Sequence, residues 1–199
     1  MALRDPDKTR TNLLEVASCI FHQKGYNGTS LSDILNAAEV SKGALYHHFS
    51  NKQELLYAVV DECYRPQFLS RWQGILAADK PMEAIAAVVT GLAQEGSDEE
   101  MCSGCPIHNI SAELASTDEA LRIRVDAIFT GLQDIIAQGI ERAKEKNQVS
   151  SRIDSDRVAL LFMCSLNGMP QMVKSCQERS VFIEITAALA DYILSFQTN

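Results

Sequence analysis

Residues 29–52 read Thr29-Ser30-Leu31-Ser32-Asp33-Ile34-Leu35-Asn36-Ala37-Ala38-Glu39-Val40-Ser41-Lys42-Gly43-Ala44-Leu45-Tyr46-His47-His48-Phe49-Ser50-Asn51-Lys52. Ser30 and Asp33 sit at capping-box spacing and open one short helix; Ser41 opens a second, with Glu39-Val40 as a tight turn between them. Leu31, Ile34, Leu35 and Ala38 form the buried stripe of the first. In the second, Leu45 and Phe49 point inward while Tyr46 and His47 project outward. Two short helices joined by a turn of about three or four residues, the second with small and polar groups outward, make a helix-turn-helix. The chemistry suits a major groove. Ser41 offers a hydroxyl and the backbone donors of a helix start, which suit phosphate. Lys42 reaches a phosphate or a guanine edge, and Gly43 and Ala44 carry too little side chain to keep the backbone away from bases. The competing reading makes Tyr46, His47 and His48 a solvated helix face without a partner.

Outward from this stretch the pattern is helical throughout. Strand-like alternation is absent, and the chain holds only ten Gly and five Pro. A first helix is expected from about Asp7 to Lys24, with Leu13, Val16, Ala17, Ile20 and Phe21 on one face and Gly25 in the left-handed capping position. Asn51 to Glu54 reads as another capping box, opening a helix to about Leu76. Further helices are expected over Pro81–Gln94, Cys105–Ala115, Asp118–Lys146, Asp154–Cys176 and Arg179–Phe196, with Gly96–Gly104 as a polar, acidic loop. Phe182, Ile185, Leu189, Tyr192 and Phe196 recur at 3-4-3-4 spacing as a packing seam. The expected fold is all-α, about nine helices: a helix-turn-helix three-helix domain over 1–52, and a second helical domain over 53–199.

Bulk properties narrow the function classes. In 199 residues, 46% are hydrophobic and 22% charged, and no apolar stretch is long enough to cross a bilayer. The stretch Met1–Pro6 has no hydrophobic run behind it, so a cytoplasmic address without membrane association is expected. The net charge of −8 is unevenly placed: residues 1–56 carry six Lys/Arg and six Asp/Glu, leaving twelve bases against twenty acids beyond. Phosphate would repel the acidic part and orient the first third towards DNA.

The run of an Asp-Ile pair, two alanines, Val-Ser-Lys-Gly, an aliphatic residue, Tyr-x-His-Phe and a following Lys resembles the TetR family of repressors over about fifty N-terminal residues. The resemblance implies phosphate contacts from Thr29 and Ser30, from Tyr46 and His47, and from Lys52, with base contacts from Lys42, Gly43 and Ala44. His48 matches the family's histidine and serves a backbone contact or packs. The resemblance also implies that residues 53–199 form a helical ligand-binding and dimerisation domain, with a dimer paired through the last two helices, because a two-fold operator needs two recognition helices about one DNA turn apart. The Phe182–Phe196 seam and the Leu160–Met172 segment would leave apolar stripes exposed on a monomer, unless they close an internal core.

Met101-Cys102-Ser103-Gly104-Cys105-Pro106-Ile107-His108-Asn109 is the most informative stretch of the second domain. Cys19, Cys63, Cys164 and Cys176 read as small buried hydrophobes. Gly-Cys-Pro followed by a small helix resembles a subset of these regulators, some of which respond to electrophiles or oxidants through cysteine. Cys105 lies at a helix start, where the dipole favours a thiolate, and Cys102 is placed to resolve a sulfenic acid as a disulfide. Two other readings stay open: Cys105 as a packing residue, and Cys102, Cys105 and His108 as metal ligands lacking an evident fourth. Asn109 joins them as a regulatory candidate. Trp72, Phe129, Phe162, Met163 and Met169 are candidate lining residues for an inducer of unknown identity, or core. Pro170 is expected to kink its helix and free a carbonyl. No cofactor or metal is expected. An enzyme would need a base, an orienting group and an oxyanion site around the cysteines, and the sequence offers no such constellation.

Overall fold

The computed structural model describes residues 6–198; the charges of Arg4 and Asp5, and the reading of the extreme N-terminus, fall outside them. The helices are α1 (Pro6–Lys24), α2 (Leu31–Ala38), α3 (Lys42–His48), α4 (Lys52–Val59), α5 (Arg65–Ser70), α6 (Pro81–Leu92), α7 (Asp98–Cys102), α8 (Pro106–Leu114), α9 (Glu119–Glu145), α10 (Ser155–Cys176) and α11 (Arg179–Leu194). Among the described residues the only extended pairing is an isolated bridge between Val149 and Gln197. Taking the unbroken run 52–70 as one helix and setting aside the single turn of α7, the described residues form the nine helices of the expected all-α architecture.

The chain groups into two compact units, one of residues up to 67 with 106–126, the other of 68–105 with 127–199. The first unit thus takes in α4 and α8 beyond the three helices expected of the DNA-binding domain. Its core is the apolar stripe of each amphipathic helix turned to a common centre: Leu13, Ala17 and Phe21 of α1, Ile34 of α2, Leu45 of α3, and Leu55 and Leu56 of α4 are fully shielded. Each large side chain so buried contributes about 1.5–3 kcal/mol. Polar ties fix the angles. Asn12 Nδ2 donates to the Ala38 carbonyl at 2.9 Å, stapling α1 to the end of α2. The Arg10 guanidinium forks onto Glu62 at 2.7 and 2.5 Å and lies 5.4 Å above the Phe49 ring.

The second unit is built around Trp72, whose ring meets Phe162 edge-on at 5.8 Å within a core that includes Ile75, Met82, Ile85, Leu132, Ile136, Met163 and Met169. Three expectations change here. The helix expected to run from Asn51 to about Leu76 gives way to a π-helical turn over Val60–Tyr64, then α5, then a 3-10 turn over Gln73–Ala77. Pro66 is the cause in sequence: it has no N–H for the carbonyl one turn back, and the wider turn ahead of it, with Arg65 N–H on Val60 O, accommodates the loss. The expected loop Gly96–Gly104 contains α7, held by a reciprocal capping box of Ser97 and Glu100. The Phe182–Phe196 seam faces inward: Phe182 and Leu189 belong to the core, with Ile185, Tyr192 and Phe196 packed against it. Of the Leu160–Met172 segment, Leu160, Leu161 and Met172 are exposed on α10, and Ile183 is exposed on α11. Through Pro170, α10 continues without a break.

Candidate nucleic-acid interface

Ser30 and Ser41 place the two helices of the motif. Ser30 closes a complete capping box, accepting from Asp33 N–H while the Asp33 carboxylate takes both the Ser30 N–H at 2.9 Å and its hydroxyl at 2.8 Å. These donors hold the Asp33 carboxyl below the usual carboxylate range. Glu39 ends α2 in the left-handed region at φ 54, a conformation few side chains adopt, and so turns the chain sharply into α3. Ser41 caps α3 by accepting from Ala44 N–H at 3.2 Å, a bond that leaves its own O–H to donate elsewhere.

With Leu45 and Phe49 buried, α3 turns Lys42, Gly43, Tyr46 and His47 to solvent and leaves Ala44 half-buried. Tyr46 is 45% exposed, and the Lys42 ammonium lies 5.7 Å from its ring centroid. A Cβ built on Gly43 would meet only the Ser41 hydroxyl, at 4.0 Å. Among the described residues nothing therefore requires glycine there, although glycine weakens a helix relative to alanine. His48 is half-buried, edge-on to His47 at 5.0 Å; burial and then its neighbours His47 and Arg10 push it below the ordinary histidine value.

Thr29 and Lys52 are placed differently from the phosphate-facing role expected of them. Thr29 is buried and its hydroxyl donates to the Gly25 carbonyl at 2.6 Å. Lys52 at the start of α4 folds back, its ammonium donating to the carbonyls of Tyr26 at 2.9 Å and Thr29 at 2.8 Å and lying 4.0 Å from the Tyr26 ring centroid. Desolvation lowers its pKa, partly opposed by the negative charge of Glu113. Sequence spacing identifies a lysine at this point of the motif but says nothing of which way it bends. Missed altogether was Glu113 on α8, whose carboxylate accepts the N–H of Tyr26 at 2.8 Å and of Asn27 at 2.5 Å. The contact joins residues 87 and 86 positions apart, a separation no local pattern reports.

The regulatory candidates divide between the two units. In the second, Cys102 ends α7, and its carbonyl accepts from Gln177 Nε2 at 3.2 Å; Cys105 directly precedes Pro106, the first residue of α8. Both thiols are half-buried and outside any disulfide. In the first, His108 and Asn109 lie on α8 and are half-buried. Among the described residues no group of three His, Cys, Asp or Glu is placed to hold a metal ion. Trp72 and Met163 are core residues, and Phe129 packs against that core with its ring 6.2 Å from Phe68. Cys19, Cys164 and Cys176 are exposed rather than buried, because each falls on the solvent side of its helix; Cys63 is half-buried, and burial raises its thiol pKa.

Comparison with known proteins gives two family matches in succession along the chain. The family model of bacterial regulatory proteins of the tetR family matches residues 13–59, and that of the LmrA/YxaF-like transcriptional regulator C-terminal domain matches residues 81–188. An HTH-type transcriptional regulator from the lacX 3' region of Lactococcus lactis is 29% identical over 133 residues, 66% of this chain and 68% of that protein. The HTH-type transcriptional repressor NemR of Escherichia coli is 27% identical over 145 residues, 70% of each chain. Among solved structures, a TetR transcriptional regulator from Chloroflexus aurantiacus superposes with a TM-score of 0.83 at 27% identity, covering 98% of both chains. The reduced form of E. coli NemR also gives 0.83, at 22% identity over 96% of this chain and 97% of that one.

Proposed function

The chain belongs to the TetR family of bacterial transcriptional regulators, and from that premise we propose that it is a dimeric repressor of a palindromic operator, released by a small-molecule inducer or by cysteine modification. It is a regulator and not an enzyme, as its family and relatives are. The observation that carries the DNA-binding reading is the outer face of α3: an exposed lysine and tyrosine in cation–π contact, beside a glycine that the fold does not need. A groove edge explains that glycine, since any larger side chain would hold the backbone away from the bases. Direct contacts fall to Ser30, Ser41, Lys42, Gly43, Ala44, Tyr46 and His47, while Thr29 and Lys52 support them from within. The division at 52/53 between DNA-binding and regulatory parts is kept as a functional boundary.

Two copies would meet through α10 and α11, where Leu161, Cys164, Gly168 and Met172 follow helical spacing along one exposed face of α10 and Ile183 is exposed on α11. The regulatory input we assign to the Gly-Cys-Pro segment, with Cys105 as the sensing thiol and Cys102 as its resolving partner. An inducer or oxidation would favour a dimer whose recognition helices no longer fit successive grooves; a differential of about 1–3 kcal/mol is enough to change operator affinity several-fold to over a hundredfold. Fluorescence anisotropy of the reduced protein on DNA from upstream of its own coding sequence tests the reading. Binding that outcompetes random DNA is expected; binding no tighter than to random DNA overturns the repressor. Loss of binding on peroxide treatment, reversed by dithiothreitol and absent in Cys105→Ser, supports the thiol input. Binding indifferent to peroxide assigns release to a reversible inducer.

A further inference from the structure

The turn that joins α1 to α2 is held at one residue by opposite charges from two other helices. Gly25 leaves α1 at φ 72, and this left-handed step turns the next two N–H groups, of Tyr26 and Asn27, towards one point. The Glu113 carboxylate of α8 occupies that point, with one oxygen on each N–H. The Tyr26 carbonyl on the other side of the same residue accepts from the Lys52 ammonium, which also binds Thr29 O, one residue before the Ser30 cap. The positive φ calls for glycine at residue 25, and a Cβ there would lie 3.0 Å from Glu113 Oε2, so the carboxylate would have to give by a few tenths of an ångström. The five residues 25–29 have no helix to fix them, yet their main chain is tied by an anion, a cation and the Thr29–Gly25 hydroxyl bond. They set where α2 begins, and through the Glu39 turn where α3 points.

We infer that Glu113 is a positioning residue for DNA binding, acting through the 25–29 turn and in concert with Lys52. The inference rests on the DNA-binding reading above and adds to it the residue of α8 by which that segment is felt at the recognition helix. Simple electrostatics predicts the opposite sign: deleting an acid from a protein of net charge −8 should strengthen its attraction to phosphate. A clamp instead predicts weaker specific binding, because Gln in place of Glu offers one acceptor oxygen and no charge to two donors.

The test compares wild type, Glu113→Gln and Lys52→Gln by anisotropy on the upstream DNA fragment and on random DNA, by amide exchange of peptides spanning 22–33, and by circular dichroism. Expected are faster exchange confined to 22–33 in both variants, unchanged helicity, and operator affinity reduced about tenfold with non-specific affinity unchanged. Lys52→Gln should also leave the salt dependence unaltered, which a lysine on phosphate would not. Exchange in 22–33 equal to wild type would overturn the clamp, and faster exchange with undiminished operator affinity would overturn its role in DNA binding. Wild type that prefers no DNA would remove the repressor reading, while the exchange data would still decide whether the carboxylate holds the turn.

Discussion

The Tyr57 hydroxyl donates to the Asp118 carboxylate at 2.8 Å, and the same carboxylate takes the Leu121 N–H at 2.9 Å, capping α9 while binding it to α4. Gln53 Nε2 donates to it as well, at 2.7 Å. Burial opposes ionisation of this group, but the donors from Leu121, Gln53, Tyr57 and Ala120 prevail and hold its pKa below the ordinary value. A depressed folded pKa means the stabilisation is complete above the unfolded value, near 4, and is lost as pH falls through the folded one. Asp118→Asn is expected to cost about 1–2 kcal/mol at pH 7 in urea unfolding, and the gap to wild type should narrow at pH 3. An equal gap at both pH values would show that shape, not charge, is what the cap needs.

Gly43 separates folding from binding. Gly43→Leu should leave the melting temperature unchanged or slightly raised, since a Cβ there meets only the Ser41 hydroxyl at 4.0 Å among the described residues and helix propensity improves. Operator affinity should fall by more than tenfold, the equivalent of roughly 1.4 kcal/mol or more. Retained affinity on the anisotropy assay would remove α3 from the groove.

Lys42→Met should weaken binding to operator and random DNA alike and lower the salt slope of log affinity by about one if its ammonium sits on a phosphate. A loss confined to the operator would place Lys42 on a base edge. The measurement is a titration at four salt concentrations.

Leu161→Glu and Met172→Glu alter side chains that are 51% and 58% exposed, so the fold of a single chain should be untouched. Light scattering after gel filtration is expected to show dimers for wild type and monomers for these variants, with loss of operator binding. Variants that stay dimeric would move the interface off this face of α10.

Arg179 at the start of α11 donates to the carbonyls of Ala93 at 2.9 Å and Gly96 at 3.2 Å and pairs with Asp98 at 2.8 Å. Arg179→Met should cost about 1 kcal/mol and expose the 93–104 segment to limited proteolysis while the rest of the chain resists. Cleavage at wild-type rate would mean that the Ser97–Glu100 capping box alone orders it.

Most of the fold is legible because the helices announce themselves. Ser30 and Ser41 cap where their types predict, and Leu13, Ala17 and Phe21 are buried at the expected spacing. The capping rule that locates α2 also applies at Ser97-Asp98-Glu99-Glu100, where the acidic composition reads as a loop and hides one turn of helix. Periodicity identifies the seam Phe182–Phe196 but not its partner, since an internal core and a second chain ask for the same spacing. At the candidate site the type of each residue is legible and its direction is not. Lys52 has the length to reach outward or to fold back, and two main-chain carbonyls 23 and 26 residues away decide the matter. Glu113 had no signal of any kind, its donors being backbone groups distant in sequence.

The inward turn of Lys52 has a consequence for how such a regulator finds its target. Arg10 is forked onto Glu62, Lys24 lies 3.5 Å from Asp33, and Lys52 is spent on carbonyls, so three cations of the DNA-binding unit are already engaged within the chain. Non-specific DNA affinity is almost wholly a matter of uncommitted positive charge. On the proposed function, these three cations are therefore expected to add less to non-specific DNA affinity than their number suggests.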